Sequence, residues 1–159
     1  MGAVLDRLAG LGLTLPPVVT PLAAYVPALR DGDLIFSSGQ VPIADGALVR
    51  AGIVGDGPGL VPAADAAELA RLCGLNAIAA IASVLDSPDD LDRLRILKVV
   101  GFVASDPSFT VHPLVVNGAS ELLGAVFGEA GVHARSAVGV AALPLGAPVE
   151  VEVTARLLG

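Results

Sequence analysis

The sequence predicts an α+β domain in which one β-sheet carries two long helices on one face. Its 159 residues are enough for one domain of ordinary size. Hydrophobic residues make up 54% of the chain and charged residues only 16%, whereas a charged share of about 25% is usual. The chain must therefore bury a large apolar core. Helical and strand-like apolar patterns follow one another in the order α-β-β-α-β-α-β-β.

The first part of the chain is expected to hold one short helix and a β-hairpin. Apolar residues at helical spacing predict a helix over 4–11, and a proline-rich extended connector follows it. Residues 34–38 have the composition of a strand, and residues 47–50 that of a second, shorter strand. Because Asp45-Gly46 is a turn signal, we expect these two strands to pair as a hairpin.

The rest of the chain alternates long helices with strands. The predicted elements are helices over 62–85 and 110–128 and strands over 95–105, 136–142 and 149–157. The first of these helices is apolar almost all round in its second half, which indicates a buried position. Thr110 is a candidate cap for the second helix, and Pro113 fits its first turn.

The charge balance argues against nucleic acid as a partner. The net charge is −7, only one lysine is present, and aromatic residues amount to 3%. Phosphate binding needs clustered lysines and arginines, but the basic residues here are scattered. So few charges also favour a subunit interface that hides apolar surface. The single cysteine, Cys73, excludes an internal disulfide and is expected to be a packed thiol.

No stretch of the sequence is expected to cross a membrane. The uncharged residues 10–29 include four prolines, which a membrane-spanning helix would not tolerate. The N-terminus carries Asp6 before Arg7 and has no basic region of the kind that begins a secretory signal. A cytoplasmic location is therefore expected.

The last two predicted strands carry charged side chains whose face can be assigned by alternation. If the valines of both strands face the helices, then Arg135, Glu150 and Glu152 lie together on the opposite face of the sheet. Two interpretations stay open at this point. The face is either a solvated surface with paired ions or a polar cleft that another subunit covers.

Several motifs resemble those of the RidA (YjgF) family. Near the C-terminus these are the Arg-Ser pair at 135–136, the Leu-Pro at 143–144 and the Val-Glu-Val-Glu-Val strand at 149–153. Near the N-terminus the Ser-Gly-Gln-Val-Pro run at 38–42 resembles the family's other motif, and Asn117 matches an asparagine between the two. The two motifs stand in the family's order, so the resemblance is specific.

The resemblance implies a chorismate-mutase-like fold and a homotrimer with clefts between neighbouring subunits. Characterised members hydrolyse reactive enamine and imine intermediates, such as 2-aminoacrylate, to 2-keto acids and ammonia, and they need no metal or cofactor. The matched site positions are the carboxylate-binding arginine Arg135, the catalytic glutamate Glu150, and the cleft residues Tyr25, Gly39 and Asn117.

The chemistry of these residue types suits those roles. A guanidinium can hold the carboxylate of a 2-imino acid bidentately, and a carboxylate can activate a water molecule for attack on the imine carbon. The resemblance covers about residues 21–157, so residues 1–20 are expected to be an N-terminal extension and 21–159 the RidA-like domain.

Two departures from short family members leave the function open. His133 stands where those members usually have proline, and Ala137 replaces a frequent cysteine. The chain therefore resembles a longer subgroup whose substrate is not implied. The alternative to a deaminase is a non-catalytic trimer that binds a small carboxylate metabolite. An endoribonuclease or translation inhibitor, a further label of the family, fits poorly with the acidic charge.

The spacing of Arg135 and Glu150 raises the question of which subunit supplies each. If the last two strands form a tight hairpin with Ala142 opposite Val149, the two residues lie about 20 Å apart along the sheet. One small substrate could not touch both. Either that pairing is wrong, or Arg135 of one subunit meets Glu150 of its neighbour, with Glu152 as an ion-pair partner for the arginines.

Overall fold

A five-stranded mixed sheet with helices on one face forms the core of the molecule. The structure is a computed structural model that describes residues 2–18 and 24–159. The helices are α1 (Ala3–Gly10), α2 (Ala63–Ala82) and α3 (His112–Phe127). The strands are β1 (Ala28–Asp31), β2 (Leu34–Ser37), β3 (Ile43–Ala44), β4 (Ala47–Leu48), β5 (Leu94–Ala104), β6 (Ala134–Val140) and β7 (Val149–Leu157). This architecture confirms the predicted α+β class.

The main sheet has the strand order β1-β2-β7-β5-β6. Strands β5 and β6 are parallel and are connected through α3, while the other neighbouring strands pair antiparallel. The alternate valines of β7 are buried at 0–2% exposure, as predicted, and they join the core with the apolar faces of α2 and α3. The opposite face of the sheet carries no helix of the described residues and is called the open face below.

The predicted hairpin in the first half of the chain is wrong. β2 pairs with β1, and the short strand β4 pairs with β3 around the Asp45-Gly46 turn. Both turn residues have positive φ, 52° and 78°, as a tight hairpin turn requires. The first strand, β1, was not predicted because only Ala28 in it is buried, which leaves no alternating apolar pattern to recognise.

Of the two alternatives for the last two strands, the supposed hairpin does not form, because β5 lies between β6 and β7. The register aligns Arg135 with Val99, which is fully buried beneath the helices. Arg135 therefore faces α3, whereas Val138 of the same strand lies on the open face at 43% exposure. The assumption that valines face the core fails here because β6 is an edge strand that α3 approaches with polar side chains.

The N-terminal ends of α1 and α3 differ in whether a side chain accepts hydrogen bonds from their free N–H groups. α1 buries Val4 and Leu8 in the core, and the Asp92 carboxylate accepts hydrogen bonds from the N–H groups of Ala3 and Val4 at 2.7 and 2.8 Å. Thr110 is not the cap of α3, since Val111 precedes the helix and no side chain caps it. A domain boundary after residue 20 stays a prediction.

Two further expectations concern burial and membranes. Cys73 is fully buried in α2, so the predicted packed thiol is confirmed. Among the described residues, no helix is both long enough and apolar enough to span a bilayer.

Candidate functional site

Glu150 lies on the open face of β7 and packs directly over Gly39. A side chain at position 39 would occupy the place of the Glu150 carboxylate, so this contact requires glycine. The segment after Gly39 is fixed to β7 by two backbone hydrogen bonds between Gln40 and Val151, at 2.8 and 3.0 Å. Gly39, Glu150 and the neighbouring Glu152 are called the Glu150 cluster.

Burial raises the pKa of Glu150, and the negative charge of Glu152 raises it further. No described residue donates a hydrogen bond to the Glu150 carboxylate, so nothing on this part of the chain offsets its partial desolvation. Cys73 lies behind the strand and its thiol donates to the carbonyl of Val149 at 3.7 Å. Burial, and then the charge of Glu150, raise the pKa of this thiol, which excludes Cys73 as a nucleophile.

Tyr25 lies in the segment that borders the Glu150 cluster. Its side chain is 55% exposed. Ser38 holds Val26 and Pro27, the two residues after Tyr25. Its hydroxyl donates to the Val26 carbonyl at 2.6 Å, and its N–H donates to the Pro27 carbonyl at 2.8 Å. These bonds hold the backbone that follows Tyr25 against Ser38, the residue before Gly39, while the Tyr25 side chain itself is largely exposed in the single chain.

Arg135 is held against α3 by neutral acceptors only. Its Nη1 donates to Asn117 Oδ1 at 2.9 Å and to Ser120 Oγ at 3.1 Å, and its Nη2 donates to the Pro113 carbonyl at 3.3 Å. No acidic side chain of residues 2–18 and 24–159 forms an ion pair with it. A guanidinium has five N–H donors, so two of them have no acceptor within this part of the chain and can bind a carboxylate.

Ser120 and His133 complete this network and were not predicted as site residues. The Ser120 hydroxyl lies 2.9 Å from His133 Nε2, and His133 Nδ1 contacts the Gly131 carbonyl. Because a carbonyl only accepts, Nδ1 carries a proton, and in the neutral ring Nε2 then accepts from the Ser120 hydroxyl. The position of Ser120, one helical turn after Asn117, is the sequence signal that could have found it. Arg135, Asn117, Ser120 and His133 are called the Arg135 cluster.

The two clusters lie apart in one chain. The register places Arg135 level with Val99 and Glu150 level with Phe102, and side chains three positions apart point to opposite faces. The separation is about 10 Å along the strands and about 10 Å across two strand spacings. The expectation that Arg135 shares a face with the glutamates is therefore wrong, although Asn117 does meet Arg135 and Gly39 does meet Glu150.

Glu152 is not an ion-pair partner of the arginines, contrary to the expectation. Arg156 pairs with Asp33 at 3.0 Å, and Arg135 has the acceptors described above. No salt bridge within the described residues includes Glu152. Its effect in this cluster is to add negative charge next to Glu150.

Comparison with known proteins identifies the family. The family model described as "YjgF/chorismate mutase-like, putative endoribonuclease" matches residues 5–157. The chain is 40% identical over 157 residues to Protein TCP17 of Trypanosoma cruzi. This match covers 98% of this chain and 95% of that protein.

Two solved structures are similar over nearly the whole chain. Atu1372 of Agrobacterium tumefaciens, a protein described as having unknown function, is 41% identical with a TM-score of 0.87, covering 98% of this chain and 92% of that chain. A "putative endoribonuclease" of Shewanella oneidensis is 32% identical with a TM-score of 0.90, covering 98% of this chain and 100% of that chain. With the family model matched from α1 to the end of β7, the chain belongs to the YjgF/chorismate mutase-like family.

Proposed function

We propose that this protein hydrolyses reactive 2-enamine and 2-imino acids to 2-keto acids and ammonia, in clefts between the subunits of a homotrimer. The observation that carries the proposal is the complementarity of two incomplete clusters. The Arg135 cluster offers a cation with unused donors, and the Glu150 cluster offers a carboxylate without a donor. A small imino acid supplies what both lack.

The reaction follows from these two groups. Arg135 would bind the substrate carboxylate through its two unused N–H donors. Glu150 would take a proton from a water molecule as its oxygen attacks the imine carbon. Glu150 would pass this proton to the nitrogen of the tetrahedral intermediate. As the carbon–nitrogen bond breaks, the hydroxyl group of the intermediate would lose its proton and become the keto oxygen. Both protons of the water molecule would thus end on nitrogen, and the products are a 2-keto acid and ammonia. An enamine would first take a proton at its β-carbon and so become the imine.

The raised pKa of Glu150 supports the role of a general base. A base acts best when its pKa approaches the working pH, and burial together with Glu152 moves the pKa of Glu150 in that direction. A covering subunit would bury Glu150 further. We therefore expect activity to fall on acidification at a higher pH than an ordinary glutamate would give.

The open face supports assembly into a homotrimer. Large apolar side chains are exposed on it, with Leu29 at 58%, Phe36 at 42% and Val138 at 43%. Exposed apolar groups concentrated on one sheet face are typical of an interface. Glu150 lies on this same face, so a neighbouring subunit that covers it would bring its own side chains to the Glu150 cluster. The number of three subunits rests on the family.

The ribonuclease function carried in relatives' names has less physical support. An RNA-binding surface needs clustered cations and aromatic side chains for stacking. This chain has a net charge of −7 and 3% aromatic residues. Repulsion between the protein and a phosphate backbone would weaken binding at physiological salt.

The test is release of ammonia and 2-keto acid from freshly generated 2-aminoacrylate. The wild-type protein should accelerate both, and Glu150→Gln should lower kcat by about 100-fold or more while a 2-keto acid analogue still binds. Glu152→Gln is the matched control and should retain most of the turnover. If the wild type binds the analogue without accelerating the reaction, the protein is a binder of carboxylate metabolites and the proposal fails.

A further inference from the structure

A cavity whose lining includes no member of the Glu150 or Arg135 cluster lies at the carboxyl ends of the two parallel strands. It has a volume of about 380 Å³, and its lining includes Ser105, Asp106, Phe109, His112, Gly139 and Val140. β5 ends just before Ser105, and α3 begins at His112. The carboxyl ends of neighbouring parallel strands, next to the start of the connecting helix, are where α/β units commonly bind ligands.

A serine and a histidine form a hydrogen-bonded pair in this cavity. Ser105 Oγ lies 3.0 Å from His112 Nε2, which is the distance expected between a nucleophile and its general base. The proposed deaminase reaction uses neither residue.

The histidine ring is oriented from two sides. The Phe109 ring meets it edge to face, with centroids 5.4 Å apart and an interplanar angle of 85°. On the other side Gly139 leaves the space that the ring occupies, because a Cβ there would lie 2.6 Å from His112 Nε2 and 3.0 Å from Ser105 Oγ. The sequence of β6 thus makes room for this pair of side chains.

We propose that Ser105 and His112 form a nucleophilic pair that transfers the acyl group of a small ester. Ser105 Oγ attacks the carbonyl carbon while its proton passes to His112 Nε2. The carbon–oxygen bond to the leaving group breaks, and His112 returns the proton to the departing alcohol. A water molecule then releases the acid by the same steps in reverse, with no oxidant, reductant or metal.

The surroundings set the expected efficiency. The Asp106 carboxylate is engaged by the N–H of Ser108 at 2.9 Å and by the Ser108 hydroxyl, so it does not orient the histidine. Orientation depends instead on Phe109 and Gly139, which predicts a slower reaction than a complete triad gives. α3 begins without a side-chain cap, so the positive end of its dipole can stabilise a developing oxyanion.

A fluorophosphonate reagent, followed by peptide mass spectrometry, tests the proposal directly. We expect covalent modification of Ser105, and none at that peptide in Ser105→Ala. His112→Asn should slow the modification by about 100-fold or more. Gly139→Ala should slow it as well, since the added methyl group displaces the ring while both reactive groups remain.

Two controls separate this chemistry from general reactivity and from the proposed deaminase. Ser108→Ala removes a neighbouring exposed hydroxyl and should leave the modification of Ser105 unchanged. Glu150→Gln should leave it unchanged too, so the two proposals fail independently. No modification of the wild type, or modification of Ser105 that is equally fast in His112→Asn, would mean that the pair is only a structural hydrogen bond.

Discussion

The Glu150 cluster and the Arg135 cluster are built in opposite ways. Glu150 is a partly desolvated carboxylate on a sheet face that exposes apolar side chains, and a second glutamate adds to its charge. Arg135 is a cation fixed between a strand and a helix, where three neutral acceptors use part of its donors. The Glu150 carboxylate thus has no hydrogen-bond donor among the described residues, whereas the acceptors around Arg135 fix the geometry of its guanidinium group.

This difference shows why one chain is an incomplete enzyme under the proposed function. The Glu150 cluster comes from adjacent strands, so local pairing alone assembles it. The Arg135 cluster comes from the β5-α3-β6 unit, so helix packing assembles it. The sheet itself lies between the two, and only a second copy of the chain can bring Arg135 to the open face of its neighbour.

The largest expected effect is recovery of activity from two inactive variants. Arg135→Ala and Glu150→Gln should each abolish turnover, because each removes one half of every cleft. After mixing equal amounts with verified subunit exchange, about one quarter of the clefts should hold both wild-type residues if each cleft joins two chains. Ammonia release measures the recovered activity.

The control for this mixing experiment is each variant exchanged with itself, which should stay inactive. No recovery in the mixture, despite verified exchange, would place both residues in the same cleft of one chain. That result would contradict the proposal that each cleft takes Arg135 from one chain and Glu150 from another.

A smaller effect is expected on ligand binding by the Arg135 cluster alone. Arg135→Ala should weaken binding of a 2-keto acid analogue by about 2–5 kcal/mol, because a partly buried charged pair is lost. This corresponds to a factor of about 30 to 5,000 in Kd, which calorimetry can measure. Arg156→Ala is the matched control, since its arginine pairs with Asp33. An unchanged Kd in Arg135→Ala would make Arg135 a structural residue.

The motifs predict which residues belong to the site better than they predict how the strands pair. They name Gly39, Asn117, Arg135 and Glu150 as site positions without pairing them, and the structure brings Gly39 to Glu150 and Asn117 to Arg135. The face of Arg135 was mistaken because alternation says which residues share a face but not which face is covered. Helix α3 covers one face of the edge strand β6, and its polar side chains contact Arg135 there. An alternating sequence pattern would assign a polar face of an edge strand to solvent.

Strand order failed for a related reason. The connector between β6 and β7 is short enough for a hairpin, but its residues also suffice to cross the roughly 10 Å that two strand spacings require. Pairing with β5 gives β7 a central position in which its alternate valines are fully buried. That gain depends on contacts distant in sequence, which local patterns do not contain.

The next effect concerns Ser120, which positions Arg135. Ser120→Ala removes the acceptor of one Nη1 hydrogen bond and the donor to His133. Losing a hydrogen bond of this kind costs about 0.5–1.5 kcal/mol, so KM for an imino acid should rise about 2- to 12-fold while kcat changes little. Ser83→Ala, which removes a helix-bound hydroxyl elsewhere, is the control. A loss of kcat with unchanged KM would assign Ser120 to the chemical step instead.

The smallest effect is on stability, and it tests the cause of the raised pKa of Glu150. A carboxyl whose pKa is higher in the folded state destabilises that state once pH exceeds the folded pKa, and has no such effect below the unfolded pKa. Glu150→Gln should therefore raise Tm at pH 7 by about 1–3 °C and leave it unchanged near pH 3. Glu152→Gln removes only the second cause, the neighbouring charge, and should raise Tm less.

A fall in Tm at pH 7 for Glu150→Gln would mean that a cation pairs with this carboxylate in the assembled protein. Repeating the scan with Arg135→Ala would then show whether that cation is the arginine of the adjacent subunit, because the penalty for Glu150→Gln should disappear in that background.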